Sequence, residues 1–141
     1  MTLSLHANGV WSVTIFGLLP LPNEIYAMPL RQRMRCKKLW RQWTQQSLQA
    51  GRVPYLGTAE ITFVRYSAGR PDDDAIPAAF KAVRDACIGL VIEDDDADHL
   101  VAHYRAERCP QGLAHIELRI ERRLLADGTQ LSVEWLPKGV A

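Results

Sequence analysis

Residues 58–98 read TAEITFVRYSAGRPDDDAIPAAFKAVRDACIGLVIEDDDAD. Ile61, Phe63-Val64 and Tyr66 alternate with polar residues, which predicts a strand over 58–66. Ser67-Ala68-Gly69-Arg70-Pro71 then delivers Asp72-Asp73-Asp74 at the strand end. A helix is predicted over 75–88, because Ile76, Phe80, Val83 and Cys87 recur at spacings of four, three and four. Asp74 stands where an N-cap belongs, and Pro77 falls in the first turn, where a missing N–H is tolerated. Gly89 is suited to end the helix. Asp74, Lys81 and Asp85 share the polar face, and Glu93-Asp94-Asp95-Asp96, with Asp98 beyond, closes the segment.

Outward from this core, residues 11–16 read as an earlier strand, rich in β-branched and aromatic residues. Residues 17–23, with Pro20 and Pro22, read as a loop. The longest helix is expected over 31–50, where Cys36, Leu39, Trp40 and Trp43 form an apolar stripe. After the second acidic run, strands are expected over 99–107 and 114–121, and Asp127-Gly128 signals a turn before a short strand over 131–136. This order predicts an α+β fold: a mixed sheet of about four to five strands with two helices against it, residues 1–141 making a single domain.

The chain has 141 residues, 48% hydrophobic and 23% charged, ordinary for a globular protein that needs no disulfide staples. Cys36, Cys87 and Cys109 are odd in number and make no C-x-x-C, which points to reduced thiols and a cytoplasmic location. The apolar stretch 13–21 is short and broken by Gly17 and Pro20, so neither a membrane span nor a signal peptide is expected.

The net charge of +1 conceals an asymmetry. Residues 1–70 hold nine Lys or Arg and two acids, Glu24 and Glu60. Arg31, Arg33, Arg35, Lys37, Lys38 and Arg41 put six cations in eleven residues without interleaved acids, a pattern that attracts phosphate backbones. Trp40 and Trp43 are candidates for stacking on an unpaired base, although aromatics at helical spacing are more often core. Arg70 could contact phosphate or shield the neighbouring acids.

Nine acids fall between Asp72 and Asp98. Clustered carboxylates without a Cys or His pair suit a hard divalent ion, Mg²⁺ or Mn²⁺; two solvated loops are the plainer alternative. An EF-hand fits poorly, because His99 and Arg105 stand where the required Gly and Glu would be. His99 and His103 are candidate extra ligands that an oxygen-rich Mg²⁺ site does not need.

Asp72-Asp73-Asp74-Ala75-Ile76, then Lys81 and Asp85, then Val91-Ile92-Glu93-Asp94-Asp95, resembles the RusA family of phage and prophage Holliday junction resolvases. That family carries an Asp-x-Asp-Asn signature, a Lys and an Asp four apart on a helix, and a later Asp-Asp pair. Ala75 departs from it, standing where the family usually has Asn. Asn23, in the Pro-Asn run after the first strand, matches a further family position.

The resemblance implies a homodimer that resolves four-way DNA junctions by Mg²⁺-dependent phosphodiester hydrolysis. By position, Asp72, Asp74 and Asp95 would hold the metal, with Asp94 as an alternative ligand. Lys81 would stabilise developing charge or pair with Asp85 at helical spacing. A relative that binds DNA but has weakened or lost cleavage is the alternative, with Ala75 its main support.

Overall fold

A computed structural model of the chain describes residues 2–69, 71 and 74–123. Asp72, Asp73 and Arg70 lie outside the described residues, as does the strand expected over 131–136. Asn8 and Gly9 adopt φ of 55° and 77°, the conformation of a two-residue type I′ hairpin. They join β1 (Thr2–Ala7) to β2 (Val10–Phe16), with Ala7 opposite Val10. Gly17 follows at φ 145°, and a Cβ there would lie 3.3 Å from the Trp40 ring. Only glycine combines that backbone with that approach.

The loop expected over 17–23 gives way, before its expected end, to a short helix, α1 (Pro22–Ala27). Pro22 occupies its first turn, and Glu24 Oε1 accepts the Leu21 N–H at 2.9 Å. Asn23 has a local role, its Oδ1 accepting the Glu24 N–H at 3.0 Å. The long helix α2 (Leu30–Ala50) forms as expected, but its apolar stripe is displaced. Trp40, Thr44, Ser47 and Leu48 are buried, whereas Leu39 and Trp43 are 36% and 41% exposed. The physical reason is that α2 buries side chains only from Trp40 onward, with Cys36 partly buried against the core before it.

β3 (Ala59–Ser67), β4 (Leu100–Arg108) and β5 (His115–Arg122) each start one residue later than predicted. The sheet order is β1-β2-β5-β3-β4. Every neighbour is antiparallel except β3 and β4, which run parallel. The fold is therefore α+β with a five-stranded mixed sheet, as expected, with four helices among the described residues. The N-terminal strand was not expected from the sequence, although Asn8-Gly9 is a strong hairpin signal.

The crossover from β3 to β4 carries the helix expected over 75–88, now divided into α3 (Ala75–Ala79) and α4 (Lys81–Cys87). The break is at Phe80, whose φ of −85° and ψ of 5° are those of a turn. Its ring is fully buried, 5.3 Å from Phe63 and 6.1 Å from Tyr104. Alternate residues of the strands complete this core. Ile61 faces Ile120 and Phe63 faces Leu118, which also pairs with Val13. The opposite sheet face is polar: Ser12 donates to Glu117 at 2.8 Å, Arg119 to Glu117 at 2.9 Å, and His103 meets Glu60 at 2.7 Å.

Phe80→Ala should lower unfolding stability by about 3–5 kcal/mol, because it empties the space under Phe63 and Tyr104. Chemical denaturation of both proteins checks this; a loss below about 1 kcal/mol would show that this packing is not central.

Candidate functional site

Asp74 directly precedes α3 and is exposed. Its backbone is already helical, φ −66° and ψ −23°, so its side chain makes no cap hydrogen bond. The expected N-cap is corrected accordingly: a capping residue needs an extended backbone to turn its oxygen toward the first free N–H groups. Asp74 makes no hydrogen bond or ion pair with any described residue. Lys81 Nζ donates to both carboxylate oxygens of Asp85, at 3.0 and 3.2 Å, the pairing its four-residue spacing allows.

The second acidic run is more tightly bonded. Asp94 Oδ1 accepts the Asp95 N–H at 2.8 Å. Asp95 is half-buried and accepts from Arg84 Nε at 3.2 Å. Arg84 Nη1 in turn donates to the Tyr104 hydroxyl at 2.7 Å, and the Tyr104 ring stacks on Phe63 at 5.2 Å. Asp95 is thus anchored to the core through one arginine. Burial works against the Arg84 charge, but the bonds to Tyr104 and Asp95 outweigh it and hold the Arg84 pKa above its ordinary value.

Asp96 and Glu93 grip His99. Asp96 Oδ1 lies 2.6 Å from His99 Nδ1 and also accepts the backbone N–H of Asp98 and His99. Glu93 Oε2 lies 3.2 Å from His99 Nε2. Both ring nitrogens therefore face carboxylates, which explains why His99 serves the loop rather than standing free as a ligand.

The crossover separates the two acidic runs. Asp74 stands where the chain leaves the C-terminal end of β3, and Asp94-Asp95 stand where it approaches the N-terminal end of β4. β3 and β4 are parallel, so these are opposite ends of the pair. Arg84, which holds Asp95, is in the last turn of α4, and both α3 and the first turn of α4 lie between Asp74 and that anchor. Among the described residues, no three His, Cys, Asp or Glu side chains converge as a metal site.

The cations lie on the same side as the crossover helices. Arg31, Arg35, Lys37, Lys38 and Arg41 are exposed on α2. Arg33 is half-buried, with its guanidinium 5.4 Å from the centre of the Tyr26 ring and Nη2 donating to Met28 O at 3.5 Å. Lys37 and Lys81 line one cleft of roughly 260 Å³ between α2 and the crossover helices, floored by Leu19, Trp40 and Ala79. A second groove of roughly 510 Å³ runs between Arg31, Arg35 and the exposed Trp43. Burial, helped by the Asp85 charge, pushes the Cys87 thiol up to about 12.

Sequence reasoning did not single out Arg84, Tyr104 or Arg65. Arg65 had a legible signal, since it shares the inward parity of Ile61 and Phe63 on β3. Arg84 and Tyr104 had none, because their meeting depends on how α4 lies on β4.

The bond to Asp96 raises the His99 pKa above its ordinary 6.5; burial opposes this, and the charges of Asp96, Glu93 and Asp98 add to it. The bond to His99 lowers the Asp96 pKa below its ordinary 3.8. A raised histidine pKa contributes stability that is complete below pH 6.5 and is lost as pH rises through the folded value. A lowered aspartate pKa contributes stability present above pH 3.8 and lost as pH falls through the folded value. An NMR titration should place the His99 midpoint above 6.5, and Asp96→Asn should bring it back down. A midpoint unmoved by Asp96→Asn would remove that pair.

No family model matches the chain, and no curated protein matches it. Among solved structures, the chain is similar to one described as "Crystal structure of a putative translation initiation inhibitor from Salmonella typhimurium", at 12% identity and a TM-score of 0.36, over 85% of this chain and 86% of that one. At that TM-score the likeness carries no argument about fold or function.

Proposed function

We propose that the chain is a RusA-type, Mg²⁺-dependent endodeoxyribonuclease that binds and cuts four-way DNA junctions as a homodimer. The observation that carries this is that Asp74, the Lys81–Asp85 pair and Asp94-Asp95 all belong to one crossover, beside the exposed cations of α2. Lys37 and Lys81 sharing a cleft supports a phosphate track leading from the basic helix toward the crossover.

Carboxylate oxygens suit a hard divalent ion: Asp74 is exposed, and Asp94, also exposed, commits only Oδ1 to a backbone N–H. Residues that would hold Mg²⁺ are Asp72 and Asp74, with Asp94 and Asp95. When bound, such an ion supplies Lewis acidity at a phosphodiester. The separation of the two runs within one chain favours a site completed between two copies, with the first acidic run of one copy beside Asp94-Asp95 of the other. Lys81, exposed and oriented by Asp85, would place positive charge on the phosphate. Arg84 would fix the direction of the Asp95 carboxylate.

The second reading, a RusA-like protein that binds junctions without cutting, gains support from the same geometry. Arg84 already neutralises Asp95, and Ala75 stands in place of the family Asn.

With a synthetic four-way junction and Mg²⁺, the protein should nick opposed strands, and EDTA should abolish the cut. Asp74→Asn should reduce cleavage at least a hundredfold while leaving junction binding level or tighter, on the order expected when a charged ligand of a catalytic ion is lost. Binding without any cleavage by the unmutated protein selects the second reading. Replacing Arg35, Lys37 and Lys38 together with Ala should lower the slope of log affinity against log salt by about 0.9 for each phosphate no longer neutralised. An unchanged slope would assign those cations to another partner.

A further inference from the structure

Arg65 is an arginine in the core, 3% exposed. On β3 its register neighbours are Ala106 of β4 and Ile116 of β5, both apolar. A guanidinium so placed would ordinarily face a carboxylate. Arg65 makes no ion pair among the described residues. Its Nε donates to Leu19 O at 2.8 Å and its Nη1 to Ser67 Oγ at 3.0 Å. Both acceptors are neutral, and they occupy two of the five N–H groups that an arginine carries. Nη2 has no acceptor among the described residues. Ser67 is itself held, donating to Gly69 O at 2.9 Å, so the guanidinium plane is fixed by a bonded surround.

The same arginine lines a cavity of roughly 400 Å³ at the end of β3, between the Leu18–Leu21 stretch and the 110–114 turn. Leu18, Leu21 and Pro110 give it an apolar wall, and the Glu24 carboxylate also lines it. Arg65 and Glu24 together carry no net formal charge. A singly charged oxyanion with an apolar flank suits this pocket better than a doubly charged one. A phosphodiester meets that description, being monoanionic at neutral pH and flanked by sugars, and the guanidinium fork matches its oxygens.

We propose that the pocket around Arg65 is an anion site that takes one backbone phosphodiester of a polynucleotide, apart from the acidic crossover and the basic face of α2. This rests on the reading that the chain grips DNA, and not on its cutting DNA. The pocket lies at the end of β3 from which the chain continues toward Asp74.

The test is a ¹⁵N NMR titration of the full chain with thymidylyl-thymidine, inorganic phosphate, sodium acetate and a four-way junction, at matched ionic strength. Thymidylyl-thymidine should shift the amides of Ser67, Gly69, Gly112 and Ala114, with smaller shifts from phosphate and acetate. Equal shifts from acetate would overturn the phosphodiester assignment in favour of a carboxylate site. No pocket shift with thymidylyl-thymidine would overturn the site itself. Arg65→Lys keeps the charge but loses the fork, and should weaken thymidylyl-thymidine about tenfold. Unchanged affinity in a variant folded by circular dichroism overturns the role of Arg65; a variant that fails to fold leaves the decision to the unmutated protein's titration. A junction that shifts α2 amides but not the pocket leaves the DNA reading standing and sinks this one. Pocket shifts with thymidylyl-thymidine and none anywhere with the junction overturn the polynucleotide source.

Discussion

Two neighbouring strands that point the same way require the chain between them to travel back along the sheet before the second can begin. β3 and β4 impose that return, and most of the molecule follows from it. The return path is helical, so α3 and α4 lie across β3 and β4 with the Phe80 ring beneath Phe63 and Tyr104. α2 then packs its second half against α4 and the first strands, closing the core on one face. The other face stays polar, with Glu117, Arg119, Glu60 and His103 pairing across strands.

The same return keeps the acidic runs apart. Asp74 follows the end of β3 and Asp94-Asp95 precede the start of β4, and parallel strands put those positions at opposite ends. Sequence proximity, about twenty residues between Asp74 and Asp94, therefore does not become spatial convergence within one chain. The acids of the helix and of the second run take local partners instead. Asp85 takes Lys81, Asp95 takes Arg84, and Asp96 takes His99. These are partly or fully exposed pairs of modest worth, so they position side chains more than they stabilise the fold.

Arg65 is different in kind, because its charge lies among apolar neighbours and is held by neutral oxygens. Keeping it protonated there works against folding, and burial does lower its pKa, with Glu24 acting in the opposite direction. Its two bonds offset part of that cost by tying the Leu19 carbonyl and the Ser67 hydroxyl to β3. The first half of α2 is a contrasting case. Its cations other than Arg33 are exposed, and no acid among the described residues pairs with them, which leaves their charge available to a polyanion.

Local pattern in the sequence was sufficient for the strands around Trp11, Phe63, Tyr104 and Leu118, for the long helix, and for the mixed α+β class, because alternation and 3.6-residue recurrence report directly on which side chains are inward. It was also sufficient for the Lys81–Asp85 pair, which needs only helical spacing. Asn8-Gly9 was equally legible as a hairpin turn, although the strand before it was not expected. Other features were not local. Which half of α2 packs, and hence that Trp40 is core and Trp43 is exposed, depends on where the helix crosses the sheet. That Arg84 rather than a metal ligand meets Asp95, and that Asp74 lies at the far end of the crossover, follows from the parallel pairing of β3 with β4. Strand direction is a property of the assembled sheet, set by which edges find each other, and no short stretch of residues encodes it.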